Sequence, residues 1–134
     1  DPAFHWSDAT WQGLPLEDYL IYEIHAGAFT PEGTLDAIVE RLDALRDLGA
    51  TAIELMPVGQ FPGTRNWGYD GVHWFAPQHS YGGPTGLKRL IDAGIAAAEA
   101  ALGGFQGLTF VEEGVGPNGE HGEIAARRSY SCFS

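Results

Sequence analysis

The sequence predicts an α/β fold in which parallel strands alternate with helices. Three observations indicate this fold class: an apolar, β-branched run at 19–25, an amphipathic stretch at 35–48, and a second apolar run at 52–58. The connections between these segments are short, so together they form a βαβ unit with parallel strands and a right-handed crossover. A sheet of this kind needs cover on both faces and further strands beside it.

The first strand follows an N-terminal segment without regular pattern. Residues 1–18 contain Trp6 and Trp11 but no sustained period, so we interpret them as an approach segment or linker. The strand is predicted over 19–25, because its residues are mostly aromatic or β-branched and the run stops at Gly27.

A helix is predicted between the two strands. Thr34 can act as its N-cap, and Asp36 lies in the first turn, where a negative charge is favourable. Gly49 stands where a C-terminal glycine ends a helix. Apolar residues recur at three- and four-residue spacing and place one stripe on this helix: Leu35, Ile38, Val39, Leu42, Leu45 and Leu48.

The remaining chain alternates in the same way and then loses its pattern. The second strand is predicted over 52–58, and a long loop over 59–86 is rich in glycine, proline and aromatic residues, a kind of loop that is usually functional. A second helix is predicted over about 86–102 and a third strand over 108–111. The predicted organisation is an approach segment at 1–18, the α/β unit at 19–102 and an atypical tail at 103–134.

Composition limits the class of partner. The 134 residues have room for one ordinary domain. The net charge of −11 argues against nucleic acid or an anionic membrane as the main partner, because both attract basic surfaces. A lone cysteine, Cys132, allows no internal disulfide, and no apolar run reaches about 18 residues. We therefore expect a cytoplasmic chain, and no motif calls for a cofactor or a metal.

The loop after the second strand concentrates the side chains that could bind a ligand. Arg65, Asn66, Trp67, Tyr69 and Asp70 lie within six residues and combine two aromatic faces with a cation, an amide and a carboxylate. This mixture suits a sugar, whose ring has apolar C–H faces and a polar edge. In the alternative interpretation, the two aromatic rings pack beneath the loop and the carboxylate caps a turn or pairs with the arginine.

Consecutive motifs cover about residues 2–93 and carry a family resemblance. They are Trp6-x-Asp8-x-x-Trp11-x-Gly13, Tyr22-Glu23-Ile24-His25-x-Gly27-x-Phe29, Ala52-Ile53-Glu54-Leu55-Met56-Pro57-Val58, Phe61-Pro62-Gly63-x-Arg65-Asn66-Trp67-Gly68-Tyr69-Asp70-Gly71 and Tyr81-Gly82-Gly83-Pro84-x-Gly86-Leu87. In this order they resemble the α-amylase superfamily of glycoside hydrolases (family 13). Within the superfamily they are most similar to the malto-oligosyltrehalose trehalohydrolases, whereas the related branching enzymes usually carry a different loop before Trp-Gly-Tyr.

The resemblance implies a partial (β/α)8 TIM barrel, of which this chain holds the first two or three β/α units. It implies a retaining glycosidase that acts on malto-oligosyltrehalose or another α-1,4-glucan through two carboxyl groups about 5 Å apart. By the family motif, Tyr69 would lie under the sugar at the cleaved bond, with Asp70 beside it. Trp67 and Arg65 would shape the same wall. His25, at the end of the first strand, is the fifth candidate substrate-binding residue.

The catalytic carboxylates of the superfamily lie on barrel strands four, five and seven. A complete barrel takes about 250 residues, and this chain reaches only the third strand. We therefore expect no catalytic residue here and no activity of the chain alone. In the tail, Val115-Gly116-Pro117-Asn118-Gly119 fits the end of the family's third-strand motif loosely. Either the preceding sugar-binding histidine has been lost or residues 94–134 are unrelated sequence, and we favour the second interpretation.

Other candidates have simpler explanations. Glu23 and Glu54 lie within apolar strands, and we expect them to form a buried hydrogen-bonded network rather than a catalytic pair. Glu112 and Glu113 are adjacent and would point to opposite faces of a strand. Cys132 has no neighbouring base in the sequence and is expected to be inert.

Three functions remain open at this point. The first is a fragment of a trehalose-releasing or branching enzyme, the second a non-catalytic glucan-binding module, and the third a small standalone hydrolase. Two or three parallel strands would also leave sheet edges open. We therefore expect self-association through those edges, weak cooperativity of unfolding or dependence on a partner fragment.

Overall fold

A computed structural model describes residues 4–7, 11, 13–101 and 109–112 of the chain. Within them a parallel sheet forms in the order β1 (Ile21–Ile24), β2 (Ala52–Leu55) and β5 (Thr109–Glu112), with Ile21 opposite Ala52 and Ala52 opposite Thr109. All three predicted strands are therefore present and parallel. The strands of the described residues are β1 (Ile21–Ile24), β2 (Ala52–Leu55), β3 (Gly59–Gln60), β4 (His73–Pro77) and β5 (Thr109–Glu112).

The helix predicted over 35–48 is divided into two short helices. These are α1 (Leu35–Val39) and α2 (Leu42–Leu48). The amide of Arg41 donates to the carbonyl of Ile38, three residues back, at 2.8 Å. This tighter bond ends α1, so the prediction of one continuous helix is wrong.

Both predicted ends of the helical segment are confirmed. The Thr34 side chain accepts a hydrogen bond from the amide of Ala37 at 3.3 Å, and Gly49 has the left-handed conformation of a C-cap at φ 102°. Of the predicted stripe, Leu48 does not face the core, because it is 68% exposed on the last turn of α2. The residues of the stripe that are buried are Leu35, Ile38, Leu42 and Leu45.

The long loop predicted over 59–86 contains regular structure. Strands β3 and β4 pair antiparallel within it, and α3 (Gly83–Ala101) begins three residues earlier than predicted. Short-range patterns miss such a ribbon because one of its strands has only two residues. The core lies between the sheet and the helices and includes Ile24, Ile53, Leu55, Phe61, Leu87, Leu90 and Ile91.

The face of the sheet opposite this core is open at β1. Ile21 is 43% exposed and Glu23 is also exposed. β1 is an edge strand of the described sheet, so it has one unpaired side. None of the helices in the described part of the chain has the length and apolar character to cross a membrane. The tail from 113 onward, with Glu113, the 115–119 motif and Cys132, lies outside the described residues.

Candidate functional site

The candidate residues meet at the carboxyl edge of the parallel sheet. His25 directly follows β1. The loop at 61–71, here called the aromatic loop, follows β2 and the short strand β3. The two strand ends are adjacent, since the Met56 amide donates to the Ile24 carbonyl at 2.9 Å. In parallel α/β architectures this is the edge at which ligands bind.

Two large aromatic rings of the loop are presented to solvent. Trp67 is 74% exposed and Tyr69 is 79% exposed, whereas Phe61 at the start of the same loop is 1% exposed. The alternative in which the two exposed rings pack beneath the loop is therefore wrong. Arg65 and Asp70 are exposed as well. They form no ion pair with each other among the described residues.

Asn66 organises the backbone of this loop. Its Oδ1 accepts hydrogen bonds from the amides of Gly68 at 2.8 Å and Asp70 at 3.3 Å. Gly68 has a φ of 95°, and a Cβ there would lie 3.1 Å from Cδ of Pro57. The turn is thus capped by Asn66 and not by Asp70, the residue considered from the sequence. The Asn-x-Gly spacing was the signal that could have identified it.

His25 connects the end of β1 to the aromatic loop. Its Nε2 donates to the backbone carbonyl of Asn66, at 2.5 Å. Its ring meets those of Trp67 and Tyr81 in edge-to-face arrangements, with centroids 5.7 Å and 6.4 Å apart. Burial raises the pKa of the Tyr81 hydroxyl. The tyrosine ring also packs against Gly27, where a Cβ would come within 2.8 Å of it.

Gln78 is a buried polar residue that sequence reasoning missed. Its side chain has no exposed surface, and its Oε1 accepts from the amide of Phe61 at 3.1 Å. Its Nε2 donates to the carbonyl of Gly63 and to the hydroxyl of Ser80, both at 2.9 Å. Gln78 therefore fixes the first part of the loop to the segment that leads into α3. Nothing in the local pattern distinguishes it from an exposed glutamine.

The two strand glutamates do not form the expected buried network. Glu23 is exposed and Glu54 is only half-buried, although the two are opposite each other in the register of β1 and β2. Neither carboxylate forms a hydrogen bond or ion pair with another described residue. The physical reason is that the face of the sheet away from the helices is open at β1. No cluster of ligating side chains that could hold a metal occurs among the described residues.

Known proteins resemble this chain over most of its length. A malto-oligosyltrehalose trehalohydrolase of Rhizobium sp. (strain M-11) is 51% identical over 122 residues, which are 90% of this chain and 20% of that protein. A 1,4-α-glucan branching enzyme of Cereibacter sphaeroides is 36% identical over 101 residues, covering 68% and 14% respectively. A solved structure of a putative α-amylase from Salmonella typhimurium matches with a TM-score of 0.74 and 43% identity over 84% of this chain and 18% of that one.

The chain belongs to the α-amylase superfamily. It spans about a fifth of the length of the trehalohydrolase that it matches. Because that match leaves only about a tenth of the chain uncovered, the likeness to this member of the superfamily extends well past residue 93. The preference for an unrelated sequence over 94–134 is thus not supported. No family model matches the chain.

Proposed function

We propose that the chain forms the first β/α units of a (β/α)8 barrel and supplies part of the sugar-binding wall of an α-glucan-active enzyme. The order of β1, β2 and β5, each parallel to its neighbour and joined through helices, supports the barrel. Of the two relatives described above, the trehalohydrolase has the higher identity and coverage. Malto-oligosyltrehalose is therefore the favoured substrate and the release of trehalose the favoured reaction of the complete enzyme.

The observation that carries this proposal is the exposure of Trp67 and Tyr69 at the carboxyl edge of the sheet. An aromatic ring that is three-quarters exposed gains little for folding, because most of its apolar surface stays in water. It can instead stack on the apolar face of a pyranose. Arg65 and Asp70, both exposed and without an ion-pair partner among the described residues, can bind hydroxyl groups at the ring edge.

We further propose that the 134-residue chain has no hydrolytic activity of its own. The only carboxylates opposite each other in the described sheet are Glu23 and Glu54, and they lie within the strands rather than at the carboxyl edge. Neither has hydrogen-bond partners of the kind that separate the pKa values of two carboxyl groups, so that one acts as an acid and the other as a base. Purified chain is expected to release no trehalose from malto-oligosyltrehalose. Turnover that survives removal of contaminating enzymes would contradict this proposal.

Binding of a linear α-glucan directly tests the proposed sugar-binding wall, which is formed by Arg65, Trp67, Tyr69 and Asp70. Titration of the full chain with maltotetraose, followed by tryptophan fluorescence, should give a saturable change. Trp67→Ala and Tyr69→Ala should each weaken binding strongly. Phe75→Ala is the matched control, because Phe75 is 75% exposed but lies on β4. No saturation up to millimolar sugar, or equal losses in all three variants, would contradict the assignment to this loop.

The main alternative is a segment of a branching enzyme. The 36% identity to the Cereibacter enzyme over 68% of this chain favours it as the second candidate. Both candidates predict binding of an α-1,4-glucan, and they differ in the reaction of the complete enzyme. An enzyme containing this segment would either release trehalose or leave new α-1,6 branches in the glucan, and analysis of its products would separate the two.

A further inference from the structure

We infer that His25 positions the sugar-binding loop through the backbone of Asn66 and does not itself contact the sugar. This inference rests on the proposed function, because it assigns the role of one residue within the proposed wall. It also changes the expectation from sequence, in which His25 was itself a substrate-binding residue.

Neither nitrogen of His25 is available to a ligand in this conformation. Nε2 donates its hydrogen to the Asn66 carbonyl, which leaves Nδ1 as the other polar atom of the ring. Nδ1 is buried and has no hydrogen-bond partner among the described residues. A sugar hydroxyl entering from solvent would therefore have to displace either the loop or the neighbouring packing before it could reach the imidazole.

The bond from His25 continues into the turn that displays the aromatic rings. Asn66 receives the histidine at its backbone carbonyl and holds the amides of Gly68 and Asp70 at its side-chain oxygen. One residue thus joins the end of β1 to the backbone on either side of Tyr69. Loss of the histidine donor would release the turn from the sheet, so the hydrogen bonds from the Gly68 and Asp70 amides to Asn66 Oδ1 would open more often.

The ring of His25 also packs against Trp67 and restricts the position of the indole. The two rings meet edge to face with an interplanar angle of 64°, while the indole remains 74% exposed. The imidazole therefore contacts the indole on one side and leaves most of the indole surface exposed. A loop held in its binding conformation before the sugar arrives loses less conformational freedom on binding, which strengthens the complex.

Two variants of His25 separate positioning from direct contact. His25→Phe keeps a flat ring beside Trp67 but removes the donor, whereas His25→Gln places an amide nitrogen near the position of Nε2. In the full chain, the phenylalanine variant should speed hydrogen exchange of the Gly68 and Asp70 amides. It should also weaken maltotetraose binding about three- to tenfold, the effect of one lost hydrogen bond. The glutamine variant should retain most of both properties.

Controls keep the inference open to refutation. Exchange at the Ile53 amide in β2 should not change, and His5→Phe, at an exposed histidine of the N-terminal segment, should alter neither readout. If the phenylalanine variant does not fold, His25→Asn, too short to reach the Asn66 carbonyl, should give the same loop exchange. Weaker binding with unchanged exchange in the free protein would mean direct sugar contact and would overturn the inference. Unchanged exchange and binding would overturn it as well.

The exchange measurement also separates this inference from the proposed function. If the wild-type chain binds no maltotetraose, the sugar-binding proposal fails. Faster exchange at Gly68 and Asp70 in the phenylalanine variant would then still support the positioning of the loop by His25. Unchanged exchange would refute the positioning role whether or not sugar binds.

Discussion

Replacing Gln78 with leucine tests whether buried hydrogen bonds hold the candidate site onto the core. The side chain has no exposed surface and bonds to Phe61, Gly63 and Ser80. Leucine has a similar volume but neither donors nor an acceptor. We therefore expect Gln78→Leu to lower the free energy of unfolding and to loosen the loop without leaving a large cavity.

The size of the loss in unfolding free energy depends on whether each former partner of Gln78 can bond to water instead. Phe61 is 1% exposed, so its amide would become a buried donor without an acceptor, which costs about 1–3 kcal/mol. Gly63 is exposed and Ser80 is only half-buried, so both can bond to water at smaller cost. The expected total is about 1–3 kcal/mol, and most of it comes from the single amide of Phe61.

Urea unfolding monitored by tryptophan fluorescence measures this loss, with hydrogen exchange at the Phe61 amide as the local readout. Gln60→Leu is the matched control. Gln60 also accepts from a backbone amide, that of His79, at 3.0 Å, but it is half-buried and His79 is exposed. Gln60 Nε2 also donates to the carbonyl of Phe61 at 3.0 Å, but that bond is only partly buried and the bond to His79 is exposed. We therefore expect a loss of about 0.5–1 kcal/mol, smaller than that of Gln78→Leu.

If the Gln78 variant is as stable as the wild type, then an unpaired Phe61 amide does not determine the loss of unfolding free energy, and the reasoning is refuted. Equal losses in the Gln78 and Gln60 variants would refute the argument that burial sets it. A stability loss without faster exchange at Phe61 would place the damage elsewhere than at the start of the loop.

Three further predictions concern other parts of the fold. Gly27→Ala should cost about 1–3 kcal/mol in urea unfolding, because its Cβ would lie 2.8 Å from the Tyr81 ring. Thr34→Ala should cost about 1 kcal/mol in the same assay, because α1 loses its N-cap. The hydrogen bond from Arg89 lowers the pKa of Asp36. This pair therefore stabilises the fold above about pH 4, the usual pKa of an aspartate. Its contribution is lost as the pH falls through the lowered pKa. Unfolding measured as a function of pH should show a small acid-dependent loss that disappears in Arg89→Ala.

Each of these predictions has a control and a result that would contradict it. Gly86→Ala should not destabilise, since a Cβ there would make only ordinary contacts at 3.7 Å, and equal losses at the two glycines would contradict the steric argument. Thr85→Ala, at an exposed threonine, should have little effect, and a loss as large as that of the cap variant would refute the capping role. The Asp36 effect is small because both partners are about half exposed, and an unchanged acid profile in Arg89→Ala would exclude it.

Much of the fold follows from features that lie close together along the chain. Thr34 and Gly49 mark the two ends of the helical segment because capping needs only the residues beside them. The strands at 21–24 and 52–55 follow from short β-branched runs, and the crossover between them requires that they be parallel. The position of the candidate site follows as well, since it lies in the loop after the second strand.

Other features required the tertiary structure. The break between α1 and α2 depends on a three-residue hydrogen bond that apolar spacing does not encode. The exposure of Glu23 depends on which face of the sheet the helices cover. The contact of His25 with Asn66 joins residues 41 positions apart, and the bond of Gln78 to Phe61 joins residues 17 apart.

The order of the three parallel strands and of the helical segments between them, the caps and the kinds of side chain at the carboxyl edge can be predicted from the sequence alone. These features depend on neighbours within a few residues. The folded arrangement was needed to establish which polar groups are buried, which aromatic rings remain in solvent and which residue holds the loop. Those properties depend on close packing between distant segments, and a local pattern carries no information about the distance between them.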